Sequence, residues 1–433
     1  MQIPFSEIRS FPFFRTRLAA EPSSTAGASV VKVIVVCFLL WGATAQISAQ
    51  QPISLADANL RGADLFQQSA FTGMVLVVVR NREVMVKTYG ETSPGSGRAP
   101  AANSLIRLCS ISKIFTADLL MKLAAEGKVG LTDPLQNYAP PGRLVPDAAD
   151  GTKISILDLA THTSGLPREV SAYPRKTPHF TFPDKDVRWN WLPNQKLISV
   201  PGKAALYSNI GFDLLGDALA SAAHVSYAHL LHDRLIQPLA LWDTTLSPSN
   251  EQCSRLLLGT RDQGPCTDTQ PSGASGGIYS TPTDMVKLLG YLLHVPGSPA
   301  QPTNDLAVYR KPQQLTFMQG LSHAGDPTGI GLAWIQIGDP TSPSMLMEKT
   351  GGGAGFSTYI ALNPKTQTGI FVAATDGKGA GRVGLFHEAN NLLAAIANVP
   401  PLPPKSHPAR SSRKRPAMHR RGRTKRPASH RVQ

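Results

Sequence analysis

Two hairpin signals stand at opposite ends of this chain, and a long helix-rich stretch separates them. Residues 73–79 and 84–89 are β-rich runs joined by Arg80-Asn-Arg-Glu. Residues 357–362 and 369–375 are apolar β-rich runs joined by Asn-Pro-Lys-Thr-Gln-Thr. From Ser110 onward Ile111, Ile114, Phe115, Leu119, Leu123 and Ala124 recur at helical spacing until Gly127 supplies a stop, which puts Ser110 at a helix start. Residues 154–285 mix helical runs such as 212–223 with Pro-rich loops, and residues 383–399 predict a closing helix. Strands at both ends with helices between them predict an α/β fold of the α+β kind. An antiparallel sheet built from both termini carries flanking helices and an inserted, mainly helical region. A cleft is expected between sheet and insert.

The composition of the 433 residues, 42% hydrophobic and 17% charged, excludes wholesale disorder and a multispan membrane protein. A net charge of +14 suggests nucleic acid until the charges are located. Eleven Lys and Arg and no acidic residue lie between 405 and 431, so most of the excess belongs to a tail and no specific nucleic-acid partner is expected. That Pro- and Arg-rich tail is expected to be disordered, and an anionic envelope surface is the partner it would suit. At the other end, Lys32, the apolar run 33–41 and the small-residue patterns Ala43-Thr-Ala45 and Ile47-Ser-Ala49 read as an export signal. The run falls well short of the roughly 20 residues that span a bilayer. The chain thus divides into an N-terminal extension with signal peptide (1–49), one folded domain (50–400) and the basic tail (401–433).

Export changes how cysteines are read. Cys37 leaves with the signal, whereas Cys253 and Cys266 lie in a loop-like stretch rich in Gly, Pro, Asp and Gln. A disulfide between them is expected, with two free thiols as the alternative; it would restrict the unfolded chain by roughly 3 kcal/mol. Cys109, beside Ser110, reads as an inert core residue.

Three short motifs follow in order: Ser110-Ile-Ser-Lys113, Tyr207-Ser-Asn209 and Lys349-Thr-Gly351. A serine hydroxyl needs a neighbour to take its proton, and one helical turn places Lys113 on the face of Ser110. The helix start also offers unpaired N–H groups, so the N–H of Ser110 can form half of an oxyanion hole. A tyrosine beside a lysine, here Tyr207, suits a proton shuttle between nucleophile and leaving group, and Asn209 can hold a substrate amide and orient Lys113. Lys349-Thr350-Gly351 enters a strand through Gly352 and Gly353, where an extended peptide can pair with the edge. Lys349 and Thr350 suit a substrate carboxylate, and the N–H of Gly352 would complete the oxyanion hole. Order carries the signal, because Ser411-Ser-Arg-Lys414 repeats the first pattern by chance. His162 is expected to brace a loop rather than serve a Ser-His-Asp triad. His229 and His232 lack a third ligand, so neither a metal nor a cofactor is expected.

The three motifs together resemble the fingerprint of the penicillin-binding protein and serine β-lactamase superfamily, with Tyr-x-Asn similar to its class C branch. The resemblance covers roughly residues 58–399. It narrows to the AmpH type of low-molecular-weight penicillin-binding protein through Tyr138-Ala-Pro-Pro-Gly142, Leu159-Ala-Thr-His-Thr-Ser-Gly-Leu-Pro-Arg-Glu169, Tyr207-Ser-Asn-Ile-Gly-Phe-Asp-Leu-Leu215, Ser275-Gly-Gly-Ile-Tyr-Ser-Thr-Pro282 and Lys349-Thr-Gly-Gly-Gly-Ala-Gly-Phe356. Cys253 and Cys266 also resemble a cysteine pair in that group. The resemblance implies a D-alanyl-D-alanine carboxypeptidase and endopeptidase of the periplasm, acting on peptidoglycan stem peptides and acylated by β-lactams. Ser110 would be the acylated nucleophile, Lys113 and Tyr207 the base system, Asn209 a positioner, and Lys349 with Thr350 the carboxylate site. A class C-like β-lactamase, an esterase or a silent penicillin-binding sensor are the alternatives on the same scaffold.

Overall fold

The computed structural model describes residues 51–171, 177–297, 306–377 and 384–405. The expected export signal, Cys37 and the basic tail beyond residue 405, with the envelope surface named as its partner, lie outside the described residues.

The strands β1 (Phe71–Arg80), β2 (Glu83–Gly90), β3 (Pro327–Ile330), β4 (Ile335–Ile337), β5 (Leu346–Gly353), β6 (Phe356–Asn363) and β7 (Thr368–Asp376) form one sheet. Its order is β2-β1-β7-β6-β5-β4-β3, and every neighbouring pair is antiparallel. The N-terminal hairpin is joined to the C-terminal one through β1 and β7, where Val75 faces Ala373 and Val77 faces Phe371. This is the sheet built from both termini that the two hairpin signals imply.

The longer helices are α1 (Leu55–Gln68), α2 (Ser112–Ala125), α3 (Asn209–Ala223), α4 (Pro282–Leu292) and α5 (Leu385–Ala397). β1 is apolar from Met74 to Val79 without alternation, as suits a strand covered on both faces. Val75, Val77 and Val79 join a core with α2, α3 and α4, while Met74, Leu76 and Val78 join a second core with α5. The helical region therefore packs on one face of the sheet and the terminal helices on the other.

Every residue from 112 to 120 of α2 is buried, the behaviour of a helix apolar around its circumference. A charge on its first turn is thereby carried into the interior, and Lys113 is fully buried. Ser110 lies one step upstream, in the 3-10 turn Cys109–Ile111 that feeds α2. Cys109 holds φ at 51°, a left-handed conformation that a residue with a Cβ adopts only when its surroundings enforce it. Cys253 and Cys266 form the expected disulfide, with Cα atoms 5.8 Å apart.

Candidate active site

β4 reaches along β5 only to Glu348, pairing Ile335 with Glu348 and Ile337 with Leu346. Residues 349–353 of β5 thus continue past the end of β4, and one of their edges borders Ser110. Glycine makes the approach possible. An ideal Cβ on Gly351 would stand 3.2 Å from the Ser110 nitrogen and 2.9 Å from the Leu108 oxygen, and would collide with Thr358 Oγ1. Two hollows meet here. The larger, about 410 Å³, is lined by Phe71, Tyr207, His323 and Thr350, and the smaller, about 200 Å³, by Glu169, Phe180, Phe182, Asn209 and Ser275. Ser110, Arg168, Gly352 and Gly353 border both.

The Tyr207 hydroxyl donates to Ser110 Oγ at 2.5 Å. Lys113 Nζ lies 3.4 Å from the same oxygen and donates to Asn209 Oδ1 at 2.7 Å and to the Ser275 carbonyl at 2.5 Å. These contacts use all three ammonium hydrogens. Burial pulls the Lys113 pKa well below the ordinary lysine value, and the negative charges of Asp213 and Glu169 pull it partly back. Lys349 is also fully buried, its Nζ 4.7 Å from the centre of the Tyr207 ring, and burial lowers its pKa too. Lys113 Nζ and the Arg168 guanidinium each lie 4.9 Å from that ring centre, so three cations surround Tyr207.

Local structure places each group. Ser208 caps α3 by accepting from the Gly211 N–H at 2.9 Å, which fixes Tyr207 just before the helix and Asn209 on its first turn. The Tyr207 N–H donates to the Gln319 carbonyl at 3.0 Å. His162 Nδ1 accepts from the Ser208 N–H at 3.2 Å, and its ring packs 4.5 Å from that of Tyr207 and 4.9 Å from that of Phe212. Burial drives the His162 pKa well below its ordinary value, which keeps the ring neutral and able to accept that bond. It braces the tyrosine, as a loop-bracing histidine should. Burial pushes the Cys109 thiol up to about 12, so it stays protonated and unreactive.

Ser110, Lys113, Tyr207, Asn209, Lys349, Thr350, Gly351 and Gly352 all gather at this cleft. Sequence reasoning gave no role to Arg168, Glu169, Asp213 or Ser275. Glu169 Oε1 accepts from Asn209 Nδ2 at 2.5 Å, and Arg168 sits over Tyr207. Asp213 carried a usable signal, since it stands one helical turn beyond Asn209. Ser275 acts through a backbone carbonyl, which no side-chain pattern announces. Among the described residues no three His, Cys, Asp or Glu side chains are placed to hold a metal.

The profile of the Beta-lactamase family matches residues 60–395. The D-alanyl-D-alanine-carboxypeptidase/endopeptidase AmpH of Escherichia coli K12 is 37% identical over 365 residues, 82% of this chain and 94% of that protein. The crystal structure of a beta-lactamase/D-alanine carboxypeptidase from Yersinia pestis, complexed with citrate, superposes with a TM-score of 0.74 at 39% identity, covering 79% of this chain and 99% of that one. A class C beta-lactamase structure shares the fold at a TM-score of 0.64 and 20% identity, covering 79% of this chain and 98% of that one. Fold and relatives define a serine hydrolase. More particularly, the chain belongs to the beta-lactamase family.

Proposed function

We propose that this enzyme is a D,D-peptidase of the periplasm that removes the terminal D-alanine from peptidoglycan stem peptides and cuts cross-links between them. Ser110 Oγ attacks the scissile carbonyl as its proton passes, with the Tyr207 hydroxyl as relay, to Lys113 in its neutral amine form, which burial favours. The N–H groups of Ser110 and Gly352 hold the resulting oxyanion, and the surrounding cations add to that stabilisation. The tetrahedral intermediate collapses, the C–N bond breaks, and Tyr207 returns the proton to the leaving amine. Water then hydrolyses the acyl-enzyme.

Tyr207 and Thr350 line the larger hollow, whereas Asn209 lines the smaller one. A proton donor must face the leaving amine, so the departing D-alanine occupies the larger hollow, with its carboxylate toward Thr350 and Lys349. The acyl side, its amide held by Asn209, runs into the smaller hollow. The observation that carries this reading is the pair of contacts on Ser110 Oγ, from Tyr207 at 2.5 Å and Lys113 at 3.4 Å, beside the edge of residues 349–353.

Penicillins would acylate the same serine. Ser110→Ala is expected to abolish both covalent labelling by a fluorescent penicillin and D-alanine release from muropeptides, and persistence of either would sink the assignment. The beta-lactamase named together with the carboxypeptidase in the Yersinia pestis structure is the second reading. Rapid turnover of a chromogenic cephalosporin without D-alanine release would select it.

A further inference from the structure

Lys113 is a cation in the interior, and its position depends on what holds it. One of its acceptors, the Ser275 carbonyl, belongs to a loop threaded between α2 and α3. The Thr116 hydroxyl donates to the Ala274 carbonyl of that loop at 2.7 Å, which ties it to α2. On the α3 side the Ser272 hydroxyl reaches both carboxylate oxygens of Asp213, at 3.2 and 3.1 Å, and lies 2.7 Å from the Ser275 hydroxyl. Asn209, Asp213 and Asp217 stand four residues apart along one stripe of α3. Their tasks differ. Asn209 accepts directly from Lys113, and Asp217 is consumed by a two-point pair with Arg188, both contacts 2.7 Å, and by the Trp189 indole at 2.8 Å. Asp213 is the carboxyl left to the loop.

The charged and titratable groups facing Lys113 come from several elements, the Cys109 thiol and the His162 ring among them being uncharged. Arg168 and Glu169 lie on the loop that follows the short helix Ile156–Ala160, Cys109 on the 3-10 turn, His162 beside Tyr207, Lys349 on β5 and Asp213 on α3. Glu169 is 57% exposed, so water screens it, whereas Asp213 is only 8% exposed. We propose that Asp213 is a positioning residue for the reaction: through Ser272 and Ser275 it fixes the carbonyl that holds Lys113, and its buried carboxylate is the counter-charge of that ammonium. This rests on the reading of Ser110 as the acylated serine and of Lys113 as part of its base.

Physics sets the sign of the test. A carboxylate facing an ammonium favours the charged form, so its removal lets Lys113 give up its proton at lower pH. The opposing effect of Lys113 and Arg188 on Asp213 itself fits the same geometry, because both charges pull down a carboxyl pKa that burial raises. The measurement is the second-order rate of acylation by a fluorescent penicillin as a function of pH. Asp213→Asn keeps the shape and the hydrogen-bond acceptor but removes the charge. Its acidic limb is expected to move toward lower pH by about one unit, the low end of the effect of a close opposite charge. Ser272→Ala withdraws the donor that steadies the carboxylate and should move the limb the same way by less. A merely structural defect would lower the rate at every pH and leave the limb in place. An unmoved limb in Asp213→Asn, or in Ser272→Ala should the first variant not fold, overturns the proposal. A wild-type enzyme that takes no penicillin label instead overturns the reading of Ser110 on which it rests.

Discussion

Gly351 marks how little room surrounds the reacting serine. Its α-carbon lies where any Cβ would press on the Ser110 nitrogen, the Leu108 oxygen and the Thr358 hydroxyl at once. Two of those neighbours are backbone and cannot rotate away, so Gly351→Ala must push β5 and the 3-10 turn apart. Misplacement of a reacting group by about 1 Å costs on the order of 10²-fold in rate. We expect Gly351→Ala to lose about that factor in penicillin acylation while its melting temperature moves by a few degrees. Near-wild-type acylation would show that the two elements part without harm to the site. The residues legible in sequence were those whose chemistry demands a type at a spacing: a lysine one turn from a serine, a Tyr-x-Asn, a glycine at a close approach. Arg168, which stacks on Tyr207 from a distant loop, obeys no such local rule. Asp213 obeyed one, helical spacing from Asn209, but only the fold shows that its stripe faces Lys113 and not solvent.

Among the elements, β5 does two jobs because a strand alternates its faces. Lys349 turns toward the cleft, and its neighbour Glu348 turns into the opposite, apolar side of the sheet, paired in register with Ala361. Burial lifts the Glu348 carboxyl to about 7, with Ser322 and the charges of Lys349 and Lys405 pulling the other way. The sign is the reverse of a surface carboxylate. Below the unfolded value of 4.5 both states hold the proton and Glu348 costs nothing. As pH rises from there through about 7, the unfolded chain releases its proton first and stability falls. Glu348→Gln should therefore raise stability at pH 8 by up to about 3 kcal/mol and change it little at pH 4, as read by urea denaturation. An equal gain at both pH values would point to packing instead of ionisation. The strand was legible as a Gly-rich entry to a hairpin, but a buried acid next to a functional lysine was not. Charge on a strand reads as solvent-facing until both sides of the sheet are known to be covered.

For the molecule as a whole, the antiparallel sheet was legible from its two hairpins, while the joining of those hairpins through β1 and β7 rested on inference from their placement. Hairpin strength is local, but the β1–β7 ladder links residues about three hundred positions apart, and no local pattern encodes its register. The lack of alternation in β1 says only that both of its faces need a core. The active site is then a seam: α2 rests on the face that Val77 helps to form, and β5 lies three places away in the same sheet. Val77 is fully buried at the centre of β1, far in sequence from every motif. Val77→Ala removes two methyl groups from the core beneath α2, a change expected to cost about 2 kcal/mol through lost burial and the void left behind. Because the strand keeps its register and Ser110, Lys113 and Tyr207 are held by their own hydrogen bonds, the acylation rate at 25 °C should stay within about twofold while the melting temperature drops. A loss of acylation matching the loss of stability would show instead that the seam transmits strain from the centre of the sheet to the serine.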